Sequence, residues 1–111
     1  MTFNVLSHTE YVTSSLGGRI IDMVKKHSME IPWFYYVHLF DLHPPFNVHK
    51  NFQNEEFGDS EYDKLVSSVD SWLGDLINEV DFENTMIVIT SDHGLIIPFD
   101  NRGLTDFEPE F

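Results

Sequence analysis

No cysteine occurs in the 111 residues, so disulfides, thiolate metal sites and a cysteine nucleophile are all excluded, while the redox compartment stays open. Positive charge is scarce: 6 Lys and Arg face 19 Asp and Glu, a formal net charge of −13. That balance argues against nucleic acid or an anionic membrane as a partner. An anionic substrate would have to be drawn in by a bound cation or by a few local Arg, Lys and His side chains, against the overall field. Long apolar runs are also missing. The longest, Ile31 to Phe40, is broken by Pro32 and His38 and falls well short of the ~20 residues that span a bilayer. With neither a membrane span nor a leader visible, a cytoplasmic location is the default expectation.

What remains is enough to build a core. Hydrophobic residues make up 41% of the chain and aromatics 14%, with ten Phe and two Trp, which places it among globular sequences. Residues 1–111 read as a single domain, partial for reasons given below, and 98–111 as an acidic tail without period.

Thr9 is suited to an N-cap with Glu10 in the first turn, and Val12, Leu16, Ile20, Met23, Val24 and His27 follow at helical spacing. Gly17-Gly18 predicts a bend or a later start for this helix. After Pro32, the run Trp33 to Phe40 is aromatic and β-preferring without polar alternation, the pattern of an inner strand covered on both faces. It empties into Asp41-Leu42-His43-Pro44-Pro45-Phe46, where two prolines forbid regular structure, and then into a polar loop or lid over Asn47 to Asp59. Ser60 and Asp63 form a capping box for a helix whose apolar face is Tyr62, Leu65, Val66, Val69, Trp72, Leu73, Leu76, Ile77 and Val80. Asp81 to Asn84 reads as a turn. Thr85 to Ser91 reads as a second buried strand, ending in Asp92-His93-Gly94.

The order helix, strand, loop, helix, strand predicts an α/β fold: parallel strands with flanking helices, joined by a right-handed crossover. In such a unit both carboxyl ends share one rim, so Asp41 and His43 would emerge beside Asp92 and His93. Two parallel strands leave edges and apolar surface open, which predicts that the chain is part of something larger or associates with itself.

Asp92 and His93 supply a carboxylate oxygen and an imidazole nitrogen suited to a divalent cation, and Gly94 allows close backbone approach; the plain alternative is a turn cap beside a surface histidine. His43, on a loop stiffened by proline, can bond an oxyanion or serve as a general acid, or simply bond a loop carbonyl. His38 lies inside the predicted strand and reads first as a satisfied buried histidine. Asp41 suits a metal or a turn N–H equally. Lys50, like Arg102, follows a strand-end loop where it could meet an anion or only solvent. His8, His27 and His49 have no constellation around them.

Pro32 through Phe46, then Tyr62 through Asp70 with Leu73-Gly74, then Glu83 through Gly94, resemble the later half of the sulfatase catalytic domain, within the alkaline-phosphatase-like superfamily. The likeness covers about residues 9–97. It implies a partial alkaline-phosphatase-like sheet, with Asp92 and His93 as ligands of one divalent cation. Calcium is the usual metal in sulfatases, and manganese, magnesium or zinc in phosphotransferase relatives. It implies His43 as a contact to the sulfate or phosphate and a missing N-terminal half; His38, Asp41 and Lys50, from the residue reading, stand beside His43 as further substrate candidates. The departures matter equally. Nothing in Met1 to Glu10 has the form of the family's paired aspartates, and no Cys or Ser stands in the Cys-x-Pro-x-Arg setting whose first residue becomes formylglycine. Leu95-Ile96-Ile97-Pro98 replaces the expected Leu-Gly-Glu-His-Gly-like segment. The expectation is therefore a fragment of a sulfate-ester hydrolase, inactive alone. The alternatives are a phosphatase or phosphotransferase of the same superfamily, or a non-catalytic remnant acting as an interaction module.

Overall fold

A computed structural model describes residues 11–27, 30 and 32–95. Thr9, Glu10, the continuation beyond Leu95, the 98–111 tail and Arg102 lie outside them.

Two helices organise the described residues: α1, Ser15–His27, and α2, Glu61–Ile77. α1 starts where the glycine pair permits, with a turn over residues 12–14 leading in and Gly17-Gly18 inside its first turn. Its Leu16, Ile20 and Val24 are buried, along with Val12 from the lead-in. α2 carries the expected capping box. The Ser60 hydroxyl accepts from the Asp63 N–H at 3.1 Å, and the Asp63 carboxylate accepts from the Ser60 N–H at 3.0 Å. Leu65, Val69 and Trp72 are buried as the periodicity predicts. Val66 is 40% exposed, whereas Ser68, outside the predicted face, is 3% exposed.

The core forms where the helices meet. Val12, Leu16 and Ile20 pack with Val69 and Trp72, and Ile21, Leu39, Leu42, Leu73 and Leu76 close around them. Gly17 is the point of nearest approach. A Cβ there would sit 1.9 Å from the Val12 carbonyl oxygen and 2.6 Å from the Trp72 ring, so no larger residue fits without displacing one helix. Between Phe46 and α2, the predicted lid folds into two short 3₁₀ turns, Lys50–Phe52 and Glu55–Phe57. The second is held to α2 by Ser67 Oγ donating to the Phe57 carbonyl at 2.6 Å. The Asp81–Asn84 turn closes as expected, through Asp81 accepting from the Glu83 N–H and the Asn84 side chain.

The predicted parallel sheet is not there. Among the described residues there is no strand, and no backbone hydrogen bond joins 33–40 to 85–90. The segments nevertheless keep the side-chain habit of extended chain. Trp33 pairs with Tyr35, Tyr36 with His38 and His38 with Phe40, all two residues apart, a spacing that shares a face in extended chain and not in a helix. Apolar side chains meant for cover face outward instead, including Tyr36 at 79% and Met86 at 84% exposure. The physical reason is that β preference prepares a segment without supplying its partner, and two parallel strands alone cannot repay their ordering entropy. No helix of the described residues is long and apolar enough to cross a membrane.

Two outcomes test this packing. In urea unfolding, Gly17→Ala should destabilise by about 1–3 kcal/mol through overpacking. Gly18→Ala, where an added Cβ meets nothing within 4 Å, should stabilise by up to about 1 kcal/mol. Asp63 gives a pH test. Its carboxyl is held below the ordinary value by the hydrogen bonds from the Ser60 hydroxyl and backbone. A depressed folded pKa means that its contribution to stability is present above the unfolded value and lost as pH falls through the folded one. Thermal melts should therefore lose stability with acidification less steeply in Asp63→Asn than in the wild type; parallel curves would contradict this.

Candidate functional site

The turn that carries His43 is built from both of its faces. The His43 N–H donates to the Phe40 carbonyl at 3.1 Å, closing the four-residue turn Phe40–His43. Asp41, inside that turn, is 2% exposed and points back under α1. Its Oδ1 accepts from the Val12 N–H at 3.0 Å, and its Oδ2 from the Thr13 N–H and hydroxyl at 3.4 and 3.1 Å. These are the orphan donors of the turn leading into α1, capped by a side chain 28 or 29 residues away.

His43 faces the other way. It is exposed, its ring lies 5.2 Å from the Phe40 ring, and its Nδ1 is 2.6 Å from the Pro44 carbonyl oxygen. A carbonyl oxygen can only accept, so Nδ1 carries the proton and Nε2 is presented outward. His93 repeats the arrangement: its Nδ1 donates to the Gly94 carbonyl at 2.7 Å, and Nε2 is again the outward nitrogen. Such a fixed second nitrogen is how metal-binding histidines are oriented.

His93 Nε2 and Asp92 Oδ2 stand 3.6 Å apart on an exposed surface, a separation that one cation bridges with bonds of about 2.0–2.4 Å. Asp92 Oδ1 accepts from the His93 backbone N–H at 2.9 Å. That bond is the chief reason the Asp92 carboxyl is held below the ordinary aspartate value; desolvation, next in size, opposes it, and His93 and His38 add smaller contributions in the same direction as the bond. The donor set thus fits a cation, but only as two ligands. No group of three His, Asp or Glu side chains converges as a metal site among the described residues.

His38 is exposed, not buried as its position within the apolar run predicts, and lies between the rings of Tyr36 and Phe40 at 6.4 and 5.6 Å. Lys50 opens the 3₁₀ turn Lys50–Phe52, and no hydrogen bond or ion pair among the described residues ties it to His43, Asp92 or His93. Sequence reasoning missed the Tyr36–His38–Phe40–His43 series of rings; its signal was the alternation at 36, 38 and 40. Two open clefts, of about 520 and 210 Å³, are lined by residues around Thr13, His49 and α2, and none of His43, Asp92 and His93 lines either.

The sulfatase family model matches residues 4–106. Over 74 residues the chain is 31% identical to an uncharacterised protein of Haemophilus influenzae, an overlap of 67% of this chain and 10% of that protein. The chain therefore spans about a tenth of the length of the curated relative it matches. No solved structure matches.

Proposed function

Since the chain belongs to the sulfatase family, we propose that it is a portion of a metal-dependent hydrolase of sulfate esters, in which Asp92 and His93 hold a divalent cation and His43 contacts the transferring group. The observation that carries this reading is the placement of His93 Nε2 3.6 Å from Asp92 Oδ2, with the other imidazole nitrogen fixed on a carbonyl.

A bound cation, calcium first and otherwise manganese, magnesium or zinc, supplies the positive charge that the chain itself lacks and so neutralises an anionic ester. His43 does the rest of the charge handling. With Nδ1 committed to the Pro44 carbonyl, Nε2 donates to a sulfate oxygen only when the ring is protonated. In the neutral ring, Nε2 is instead an acceptor able to take up a proton. A nearby anionic ester favours the protonated form, which makes His43 both an electrostatic contact and a store for the proton the leaving oxygen needs. His38, exposed between the Tyr36 and Phe40 rings, is a further candidate to meet the anion. Asp41 has both oxygens engaged under α1, and it enters this reading as support for the turn. The attacking oxygen belongs, in this reading, to a part of the sulfatase domain that these residues do not encode, with formylglycine as its source.

The reading includes a polypeptide partner. Phe34, Tyr36, Met86, Val88 and Ile89 are all at least 69% exposed, along segments with β preference and unpaired backbone. Further strands of the domain would cover them, and alone the chain would meet copies of itself.

Calorimetric titration of calcium or manganese into the chain should show weak binding, with a dissociation constant of about 1 mM or poorer for two ligands. Asp92→Ala should abolish it, and an unchanged titration in that variant would remove the metal assignment. In analytical ultracentrifugation the wild-type chain should self-associate as its concentration rises. A sedimentation coefficient that stays monomeric across the range would contradict the exposed-segment reading.

A further inference from the structure

We propose that Asp41 is a positioning residue for His43, acting by fastening the Phe40–His43 turn to the lead-in turn of α1. The proposal rests on the reading of His43 as the anion contact and adds the device that holds it in place. Within the turn, His43 is fixed only relative to its immediate neighbours: its N–H on the Phe40 carbonyl, its ring against the Phe40 ring, its Nδ1 on the Pro44 carbonyl. Those contacts give the turn a shape but do not locate it on the protein. Location comes from the inward side chains. Leu39 and Leu42 pack against the core cluster, which orients the turn without fixing it in any one direction, since apolar contact is not directional. The Asp41 carboxylate supplies direction, because three donors on Val12 and Thr13 converge on it.

Residues on alternate sides of the turn therefore do opposite work. Asp41 and Leu42 face the helices, whereas Phe40 and His43 face solvent. A shift of Asp41 must carry His43 with it, since one residue lies between them and the turn is closed by a hydrogen bond. Neither Asp41 oxygen can serve a substrate or cation without abandoning α1, and a 2%-exposed carboxylate that lost those donors would stand unpaired in the interior.

The experiment uses the full 111-residue chain with ¹⁵N-labelled histidine and follows the ring-nitrogen shifts of His43, which distinguish the Nδ1–H from the Nε2–H tautomer. His49 is the internal control: its Nδ1 accepts from the Asn51 N–H, so it holds the opposite tautomer, in the 3₁₀ turn of the lid. In the wild type, His43 should show Nδ1–H and respond to added inorganic sulfate. Asp41→Ala should lower the order of the His43 backbone amide in ¹⁵N relaxation and weaken the sulfate response, with the local Nδ1–H tautomer, helical circular dichroism and the His49 signature retained. Asp41→Asn, which keeps an oxygen for the Val12 N–H, should restore both. Thr13→Val removes only the 3.1 Å hydroxyl bond and should lower His43 order part of the way, which keeps the test decisive if Asp41→Ala does not fold. Unchanged His43 order and sulfate response in Thr13→Val and Asp41→Ala, or failure of Asp41→Asn to restore them, would overturn the proposal. A wild-type His43 that holds Nδ1–H yet ignores sulfate would count against the sulfatase reading and leave the positioning result standing.

Discussion

A single buried carboxylate joins the two halves of this structure. Asp41 accepts three hydrogen bonds from the turn that starts α1, at a position where only 2% of its surface meets water. Burial of such a group is tolerable because its donors are fixed, and because α1 would otherwise begin with unsatisfied N–H groups inside the core. Around that polar contact the apolar ones fall into place. Val12, whose N–H is the first donor, is itself a core residue against Val69 and Trp72, and Leu39 and Leu42 flank the carboxylate on the same side. The helix pair, the turn and the exposed histidine beyond it thus depend on one another through a few ångströms of chain.

The sequence was most informative where the physics is local. The start of α2 was legible because its capping box lies within one stretch, and Ser60, Asp63, Leu65, Val69 and Trp72 all behave accordingly, although the helix ends at Ile77, three residues short of Val80 on the expected face. α1 was legible as a helix and wrong in its start. The turn leading into it is held by Asp41, from far along the chain, and no inspection of residues 9–15 could reveal that. Gly17 looked like a defect in a helix and is instead the clearance that lets Trp72 approach. The sheet failed for a related reason. Residues 33–40 and 85–90 have the composition of strands, but a strand is a relation between segments, and composition says nothing about whether the other partner is at hand.

The candidate site shows the same division. That Asp92 and His93 stand together at the end of an apolar run is plain from the residues. That His93 and His43 each spend Nδ1 on the carbonyl of the following residue, and so present the same nitrogen, depends on backbone direction and was not readable. His38 was assigned to the interior because its neighbours are apolar, yet Tyr36, Val37 and Phe40 are themselves exposed. The match to the sulfatase family model spans all of these positions.

The long-range cap on α1 also bears on cooperativity. α2 carries its own stop and start signals, whereas the described start of α1 is completed only when the Phe40–His43 turn is docked. Neither can open to water alone without exposing the carboxylate or the amides that it satisfies. The lead-in to α1 and the histidine turn are accordingly expected to open as a single exchange unit, amide protection at Val12 and Thr13 rising and falling with order at His43.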